Sequence, residues 1–282
     1  MTPQDYDYIR KLLRERSGLV LSAEKQYLVE SRLLPVVRKA GLNSLAELVV
    51  AIKRAPGAPL TVTVVEAMTT NESFFFRDKL PFEHFRDVVM PALLAARAQD
   101  KRIRIWCAAA ATGQEPYSLA MALKDMGGKL AGWTIEMIGT DISTAALDRA
   151  KAGLYSQFEV QRGLPIQSLV KYFTQIGDHW QIAPEIRAMV DFRHFNLLQD
   201  FAGLGMFDVV FCRNVLIYFD QDTKTAVLNR IARVMRGDAY LMLGAAETVV
   251  GLTTALKPML EHRGVYVPNN APAKVVQFAA AS

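Results

Sequence analysis

The sequence predicts an α/β fold with a mostly parallel sheet, preceded by a small all-helical unit. The first part of the 282-residue chain alternates apolar and charged positions at helical spacing. From about Lys101 onward, short apolar strands alternate with helices, which is typical of a parallel sheet covered on both faces. This alternation breaks down between Gly153 and Asn196, which predicts a small inserted subdomain with short antiparallel strands.

The helical unit is divided by clear boundary signals. The segment "YDYIRKLLRERSG" stops at Gly18, and "SAEKQYLVESRLL" starts at the capping residue Ser22. The segment "NSLAELVVAIKRA" starts with Asn43 and Ser44 as caps. The loop "APGAP", residues 55–59, precedes a further helix over about 60–68. These short helices predict an independent all-helical domain at the start of the chain.

The second part of the chain supplies the strands and helices of the predicted sheet. The predicted strands are "RIRIWCA", "WTIEMIGTD", "FDVVFCRN", "AYLMLGA" and "RGVYVP". The predicted helices are "EPYSLAMALKDM", "STAALDRAKAG" and "DTKTAVLNRIARVMRG"; Gly153 and Gly237 end the second and third of them. The predicted organisation is a helical domain over 1–68, a linker and connecting helix over 69–100, a sheet domain over 101–270 with an insert at about 154–195, and a frayed tail over 271–282.

The composition indicates a globular chain with a sizeable core, because 51% of the residues are hydrophobic and 22% are charged. No apolar run reaches the roughly 18 residues of a membrane span, and the N-terminus lacks the features of a signal peptide. Cys107 and Cys212 cannot form a disulfide framework and have no zinc-type spacing, so we expect a cytoplasmic protein without a metal. The net charge of +5 fits an anionic partner, but neither nucleic acid nor membrane insertion is expected.

The stretch "CAAAATGQEPYS" follows the first strand of the predicted sheet. Ligands of open α/β sheets bind beyond the carboxyl ends of the strands, where the turn must admit a ligand against its backbone. After glycine, alanine has the smallest side chain, so residues 108–111 are interpreted as a contact floor. The alternative is that the alanines only pack the next helix tightly on the sheet, since the stretch is not a GxGxxG motif.

Two carboxylates accompany this turn. Asp141 ends the second strand, where an acid can accept two hydrogen bonds from ribose hydroxyls. Its alternative role is the N-cap of the next helix, but Ser143 already fills that role. The spacing from Gly113 to Asp141 exceeds the roughly twenty residues of a dinucleotide site, and Glu115 would repel a pyrophosphate. The pattern therefore favours a cationic or neutral nucleoside, and the sulfonium compound S-adenosylmethionine is such a ligand.

Four sequence blocks carry a resemblance to a known family. The blocks "TTNESFFFRD", "WCAAAATGQEPYSLAM", "IGTDISTAALDRAKAGLY" and "FDVVFCRNVLIYFD" resemble, in the same order, the signature blocks of the CheR family. Its members are chemotaxis receptor methyltransferases that esterify receptor glutamates during sensory adaptation. The resemblance runs from about Asp5 to Pro268. It implies a Rossmann-like, S-adenosylmethionine-dependent methyltransferase domain behind the helical domain, with S-adenosylhomocysteine as a product.

The resemblance also implies which residues contact the cofactor. Glu115 would meet the methionine amino group or the adenosine edge, and Asp141 would meet the ribose. Asn196 and Leu197 would flank the adenine. The whole implied set is Asn71, Ser73, Arg77, Ala109, Glu115, Asp141, Asn196, Leu197, Arg213 and Asn214.

The chain departs from the family pattern at two places in this set. The family often has threonine where this chain has Ser73, which keeps the hydroxyl. The family often has hydroxyl residues in the turn where this chain has Ala110 and Ala111, and their loss removes a potential hydrogen bond. Arg213 and Asn214 would close the site after the third motif strand.

Methylation of a glutamate is a displacement by a carboxylate oxygen on a sulfonium methyl group. The carboxylate is ionised near neutral pH because its unperturbed pKa is about 4.3, so no general base is needed, only alignment and partial desolvation. Arg77 would align the carboxylate through two parallel hydrogen bonds, and Tyr218 would donate to it or line the methyl path. The alternative roles are a surface salt bridge for Arg77 and a core aromatic for Tyr218. The phenylalanines 74–76 are expected to pin the segment that carries Arg77 into the crevice between the two domains.

The resemblance implies an acidic partner, the helical cytoplasmic domain of chemotaxis receptors. Basic residues outnumber acidic ones in residues 1–54, so the helical unit is the expected docking surface. Glu24 and Glu30 dilute the charge of its second helix, and Pro35 is expected to kink or end that helix. Docking is therefore expected through three residues, Arg32, Arg38 and Lys39.

Two other functions remain alternatives. A regulatory or scaffold protein on the same fold would bind S-adenosylmethionine without moving its methyl group to protein. An RNA methyltransferase would move it to RNA. Methyltransferases of adenine amino groups carry an Asn/Asp-Pro-Pro-aromatic motif and cytosine enzymes a Pro-Cys nucleophile, and the sequence contains neither.

Overall fold

The computed structural model describes residues 1–270, so the tail predicted over 271–282 lies outside the described residues. The N-terminal unit consists of four helices around its own apolar core. They are α1 (Pro3–Ser17), α2 (Gln26–Lys39), α3 (Leu45–Arg54) and α4 (Pro59–Met68). α1 ends at Gly18, which adopts the left-handed conformation with φ 76°, and the Ser44 side chain accepts the Glu47 N–H at the start of α3. The predicted end of the first helix and start of the third are therefore confirmed.

Two expectations for α2 are wrong. A short 3₁₀ turn, Ala23–Lys25, follows Ser22, whose side chain caps nothing, and α2 begins only at Gln26. α2 also continues through Pro35 to Lys39, so Pro35 does not end the helix, whereas the kink expected as the other possibility stays a prediction. The missing N–H removes one helical hydrogen bond. Apolar residues on both sides of Pro35 are buried in the core of the unit, and this burial holds the helix together.

The rest of the described chain forms a seven-stranded sheet and a three-stranded sheet. In chain order the strands are β1 (Arg102–Ala108), β2 (Thr134–Asp141), β3 (Leu154–Ser156), β4 (Phe173–Ile176), β5 (His179–Ile182), β6 (Val190–His194), β7 (Phe207–Cys212), β8 (Met235–Leu243), β9 (Leu256–Pro258) and β10 (Val265–Pro268). The large sheet has the order β6-β2-β1-β7-β8-β10-β9, in which only the pairs made by β10 are antiparallel. The predicted mostly parallel sheet is confirmed.

Helices cover both faces of the large sheet. The helices of this part of the chain are α5 (Leu80–His84) and α6 (Met90–Ala96), joined by a π-helical turn (Phe85–Val89), then α7 (Gln114–Asp125), α8 (Thr144–Ala152), α9 (Gln157–Gln161), α10 (Ile166–Tyr172), α11 (Pro184–Arg187) and α12 (Gln221–Arg233). Of these, α9 and α10 contact the small sheet. One core contains Ile105 and Phe211 and the other contains Trp106 and Val210, so successive residues of a strand bury their side chains on opposite faces of the sheet. Within residues 1–270, no helix combines the length and apolar character needed to cross a bilayer.

The predicted insert is real but shorter than expected. β3, β5 and β4 form its antiparallel sheet. The segment Val190–His194, predicted within the insert, is instead β6, the edge strand that pairs in parallel with β2. Its side chains alternate between buried and exposed because only one face of this edge strand is covered. That alternation imitates an antiparallel strand, which explains the wrong prediction.

Two further boundaries differ from expectation near the far edge of the sheet. α12 ends at Arg233, not at Gly237, and β8 already begins at Met235. Phe207 pairs with Met235 ahead of a register shift in the β7–β8 ladder, so backbone pairing ends the helix early. The short β9 at Leu256–Pro258 was not predicted, since three residues carry no readable periodicity.

Cys107 and Cys212 lie at the carboxyl ends of the neighbouring strands β1 and β7, but their side chains are buried on opposite faces of the sheet. Ala108 is the residue of β1 that pairs with Cys212, and the two cysteines belong to different apolar cores. Burial raises the pKa of both thiols well above the ordinary value. We expect no disulfide and no reaction with an aqueous thiol reagent until the protein is unfolded. A quantitative loss of two hydrogens in the mass spectrum of freshly purified protein would contradict this.

Candidate active site

The carboxyl ends of β1, β2 and β7 open into a cavity of about 920 Å³, part of which is open to solvent. Its walls come from three parts of the chain: the helical unit, the linker after α4, and the loops that follow the strands. Ser17 and Leu19 belong to the first wall, and the segment 69–73 belongs to the second. A cavity of this size at the ends of parallel strands is where α/β proteins bind small ligands.

The alanine turn forms the floor of the cavity through every second residue. Ala109 and Ala111 line the cavity, with φ values of 59° and 49°, whereas Ala108 and Ala110 are buried in the two cores. Ala108 and Ala110 thus pack the cores, as the alternative interpretation expects, whereas the contact of Ala109 and Ala111 with a ligand stays a prediction. The positive φ values turn the backbone at Ala109 and Ala111 toward the cavity. Gly113, with φ 94°, is the residue that precedes the first turn of α7.

Asp141 joins the two turns that flank the cavity. Its Oδ2 accepts the Ala111 N–H at 2.9 Å, and its Oδ1 accepts the Ser143 N–H at 2.9 Å. The Ser143 hydroxyl caps α8 by accepting the Ala146 N–H, so Asp141 is not the helix cap. Burial raises the pKa of Asp141, while the N–H groups of Ser143 and Ala111 act in the opposite direction. An ionised carboxylate has about four acceptor positions, so lone pairs remain for a ligand.

Glu115 lies at the first turn of α7 and is paired with Arg213. The Arg213 Nη1 donates to Glu115 Oε2 at 2.7 Å, and its Nη2 donates to Asp78 Oδ2 at 2.7 Å. The Arg213 side chain is 1% exposed and that of Glu115 is 11% exposed. Burial raises the pKa of Glu115, and the adjacent guanidinium opposes that rise. Sequence reasoning found both residues but not their pairing, nor the role of Asp78.

The linker carries Arg77 along the rim of the cavity. Phe75 is fully buried, with its ring edge-to-face on Tyr155 at 5.0 Å, so it anchors the segment in a core of the sheet domain and not in the crevice between the domains. Arg77 stacks over the Phe74 ring at 5.3 Å and donates a long hydrogen bond of 3.4 Å to the Glu72 carbonyl. In residues 1–270 no carboxylate oxygen lies within salt-bridge distance of Arg77. Its guanidinium therefore keeps most of its donors for a ligand.

Tyr218 and Asn214 belong to the loop after β7. Tyr218 lies in a 3₁₀ turn, and its ring packs at the edge of one core while also lining the cavity. No residue in the described part of the chain forms a hydrogen bond with its hydroxyl. The Asn214 backbone is left-handed, with φ 58°, and the residue lines the cavity. The core interpretation and the ligand interpretation of Tyr218 are therefore compatible.

Asn196 closes the cavity against the helical unit. Its Nδ2 donates to the Arg16 carbonyl oxygen at 2.6 Å, and its Oδ1 accepts the Leu198 N–H at 2.9 Å. Leu197 is buried beside it and lines the cavity. The amide of Asn196 thus serves first as a contact between the two units.

The structure brings every predicted cofactor and catalytic residue to this one cavity. Their roles toward a ligand remain predictions. Sequence reasoning did not single out several other lining residues, namely Ser17, Leu19, Thr69, Thr70, Glu72, Ile142, Phe195, Val215 and Phe219. Ser17 and Leu19 belong to the helical unit, so only the contact between the two units gives them a place in the site.

The three predicted docking residues do not form one exposed group. Arg32 donates from Nη1 to the carbonyl oxygens of Met68 and Thr69, at 2.7 and 3.0 Å, and from Nη2 to Thr70. It holds the end of α4 and the start of the linker, so it has little freedom to meet a partner. Arg38 and Lys39 are exposed at the end of α2.

Comparison with known proteins covers both units. A family model for the CheR methyltransferase all-alpha domain matches residues 4–69, and one for the CheR methyltransferase SAM binding domain matches residues 71–265. The chain is 44% identical over 254 residues to Chemotaxis protein methyltransferase 1 of Pseudomonas aeruginosa, covering 88% of this chain and 91% of that relative. It is 41% identical over 252 residues to Chemotaxis protein methyltransferase Cher2 of Pseudomonas putida, with coverage of 88% and 91%.

Proposed function

The chain belongs to the CheR methyltransferase family, and from this premise we propose that it methylates glutamate side chains of chemotaxis receptors. The methyl donor is S-adenosylmethionine, and the products are a glutamate methyl ester and S-adenosylhomocysteine. The observation that carries the proposal is the single cavity that gathers an acidic strand end, a small-residue floor and the unpaired guanidinium of Arg77.

The residues of the cavity fit S-adenosylmethionine. Asp141 offers acceptors for ribose hydroxyls, and the buried carboxylates favour a cationic ligand over a pyrophosphate. Asn71 and Ser73 line the cavity, and no residue in 1–270 forms a hydrogen bond with their side chains. When bound, S-adenosylmethionine supplies a methyl group on a positively charged sulfur.

The protein's own residues then have to align and partly desolvate a carboxylate. Arg77 is suited to hold that carboxylate, because a guanidinium donates two parallel hydrogen bonds to its two oxygens. The Tyr218 hydroxyl, on the loop that follows β7, is a further hydrogen-bond donor. The incoming carboxylate is ionised near neutral pH, so no side chain has to remove a proton.

Arg77→Ala is expected to lower turnover about 10–100-fold while the dissociation constant of S-adenosylhomocysteine changes less than about threefold. The reason is that carboxylate alignment is felt mainly in the transition state. Arg162→Ala is the matched control, because Arg162 also stacks on the Phe74 ring, at 4.5 Å, but does not line the cavity. Turnover of the Arg77 variant within twofold of wild type would make Arg77 structural only.

The test of the function is the transfer of labelled methyl groups to receptor cytoplasmic domains. The proposal expects incorporation into receptor protein, released as methanol by mild base, because methyl esters hydrolyse there. A receptor domain with its exposed glutamates replaced by alanine is the control substrate. Transfer to RNA, or cofactor binding without any transfer to protein, would contradict the proposal and favour the RNA enzyme or the regulatory protein.

Receptor docking is proposed to use Arg38 and Lys39 at the exposed end of α2. Reversing both charges to glutamate should slow receptor methylation about tenfold at low salt and leave cofactor affinity unchanged, because surface charges act mainly on association. Lys124→Glu with Lys129→Glu makes the same change in net charge at the exposed end of α7 and in the 3₁₀ turn, Gly127–Leu130, that follows it, and neither residue lines the cavity. If methylation responds equally to both pairs, or to neither, α2 is not the docking surface and the insert around Trp180 becomes the better candidate.

A further inference from the structure

The loop that follows β7 is held by one buried carboxylate, that of Glu247. Its Oε1 accepts the N–H groups of Val215 and Leu216 at 3.0 and 2.8 Å. Its Oε2 accepts the N–H groups of Asn214 and Gly244 at 2.8 and 2.7 Å. The residue is 8% exposed. Four backbone donors therefore converge on a single side chain that does not itself line the large cavity.

Three of these four donors are consecutive residues of the loop that carries the cavity-lining side chains. Asn214, Val215, Tyr218 and Phe219 all line the cavity. Asn214 adopts a left-handed φ of 58°, a conformation that is uncommon outside glycine but that asparagine adopts more readily than most other residues. The hydrogen bond from the Asn214 N–H to Glu247 fixes the backbone at this residue.

The space around Glu247 is fitted to this arrangement. A Cβ at Gly244 would lie 2.7 Å from Glu247 Oε2 and 2.8 Å from the Asn214 side-chain nitrogen. The sequence "LGAAE" thus places a glycine where the carboxylate and the loop meet. Glutamine cannot replace the carboxylate, because its amide nitrogen donates and would face two N–H groups that also donate.

We propose that Glu247 is a positioning residue for methyl transfer: its carboxylate fixes residues 214–216 and thereby sets Tyr218 and Asn214 against the ligand in the cavity. The proposal rests on the proposed function for the reaction it concerns. Charge-assisted hydrogen bonds to backbone N–H groups are stronger than neutral ones, so removal of the charge should free the loop more than the rest of the fold.

A matched control is available at the opposite end of the same sheet. Asp208 is also a buried carboxylate, and it accepts the Arg104 N–H at 2.8 Å and the Arg97 side chain at 2.9 Å. It lies near the amino end of β7, whereas the cavity is at the carboxyl end. Asp208→Asn therefore tests what the loss of a buried carboxylate does to stability without touching the loop.

The experiment compares wild type, Glu247→Gln and Asp208→Asn at a temperature well below all three melting points. For Glu247→Gln we expect amide hydrogen exchange over residues 214–216 to rise about tenfold or more, and kcat to fall about 10–100-fold with KM for receptor nearly unchanged. Asp208→Asn should lower the melting temperature but leave amide exchange over residues 214–216 and kcat within about twofold of wild type. Should Glu247→Gln not fold, Glu247→Asp, which keeps the charge on a shorter side chain, must show the same split.

Unchanged exchange at 214–216, or equal losses of turnover in the Glu247 and Asp208 variants, would overturn the positioning role. Methyl transfer by the wild type is scored separately in the same assay. If wild type transfers no methyl group to receptor, the proposed function fails, whereas a transferring wild type with an indifferent Glu247 variant removes only this inference.

Discussion

Arg213→Met should destabilise the folded protein by about 3–5 kcal/mol near neutral pH, because it leaves the buried Glu115 carboxylate without its partner. Methionine keeps the apolar volume of the arginine stem, so the loss reports the charge and its hydrogen bonds. The measurement is the free energy of unfolding in denaturant. The control is Arg162→Met, which breaks an exposed pair with Glu72 and should change stability by less than about 1 kcal/mol.

The loss of stability in Arg213→Met should depend on pH in a defined direction. Burial already raises the pKa of Glu115 from the ordinary value of 4.5, and Arg213 opposes that rise. In the Arg213→Met variant the guanidinium no longer opposes this rise. Glu115 of the folded protein therefore keeps its proton at pH values at which Glu115 of the unfolded chain has already released it. Stability then falls as pH rises above 4.5, and the deficit relative to wild type is larger at about pH 8 than at about pH 5. A deficit that is independent of pH would contradict the role assigned to the pair.

Asp141→Ala should weaken binding of S-adenosylhomocysteine about ten- to a hundredfold, because charge-assisted hydrogen bonds are worth about 1.5–3 kcal/mol each. The substitution also frees the N–H groups of Ala111 and Ser143, which loosens both turns beside the ligand. Titration calorimetry measures the effect directly. Unchanged affinity would remove Asp141 from the site.

Ser143→Ala separates ligand binding from helix capping in that experiment. It removes only the side chain that accepts the Ala146 N–H at the start of α8. Loss of such a cap costs about 0.5–2 kcal/mol of stability, with cofactor affinity expected to stay within about twofold. An equal loss of affinity in both variants would mean that the geometry of α8, and not the carboxylate, governs binding.

Local patterns predicted the elements that are buried on both faces or capped by a distinctive residue. β1 coincides with "RIRIWCA", whose last four residues are all apolar and buried, and Ser143 caps the start of α8 as its position required. β6 was missed because its one-sided burial is decided by its place at the sheet edge, which is a property of the assembled sheet. Pro35 was misjudged because the burial around it is also tertiary.

The site divides in the same way. The motif blocks identified Asp141, Glu115 and Arg77, which stand on the strand ends or the linker where ligand chemistry requires them. The Arg213–Glu115 pair and the Arg32 contacts with Met68 and Thr69 join residues far apart in the chain, and no spacing rule connects them. Glu247 was not singled out at all, because its contacts are to backbone groups that every sequence possesses.

Although two family models divide the chain, its two units are not interchangeable modules. A Cβ at Gly18 would lie 3.0 Å from the Phe219 ring, and Asn196 is tied to the Arg16 carbonyl, so each half shapes the other at the shared wall. A chimera that joins residues 1–69 of one relative to the sheet domain of another would inherit two mismatched sides of one pocket. Substitutions at these positions should therefore be tolerated in pairs. Recombination between family members should give a working protein only where both sides of the shared wall come from the same parent.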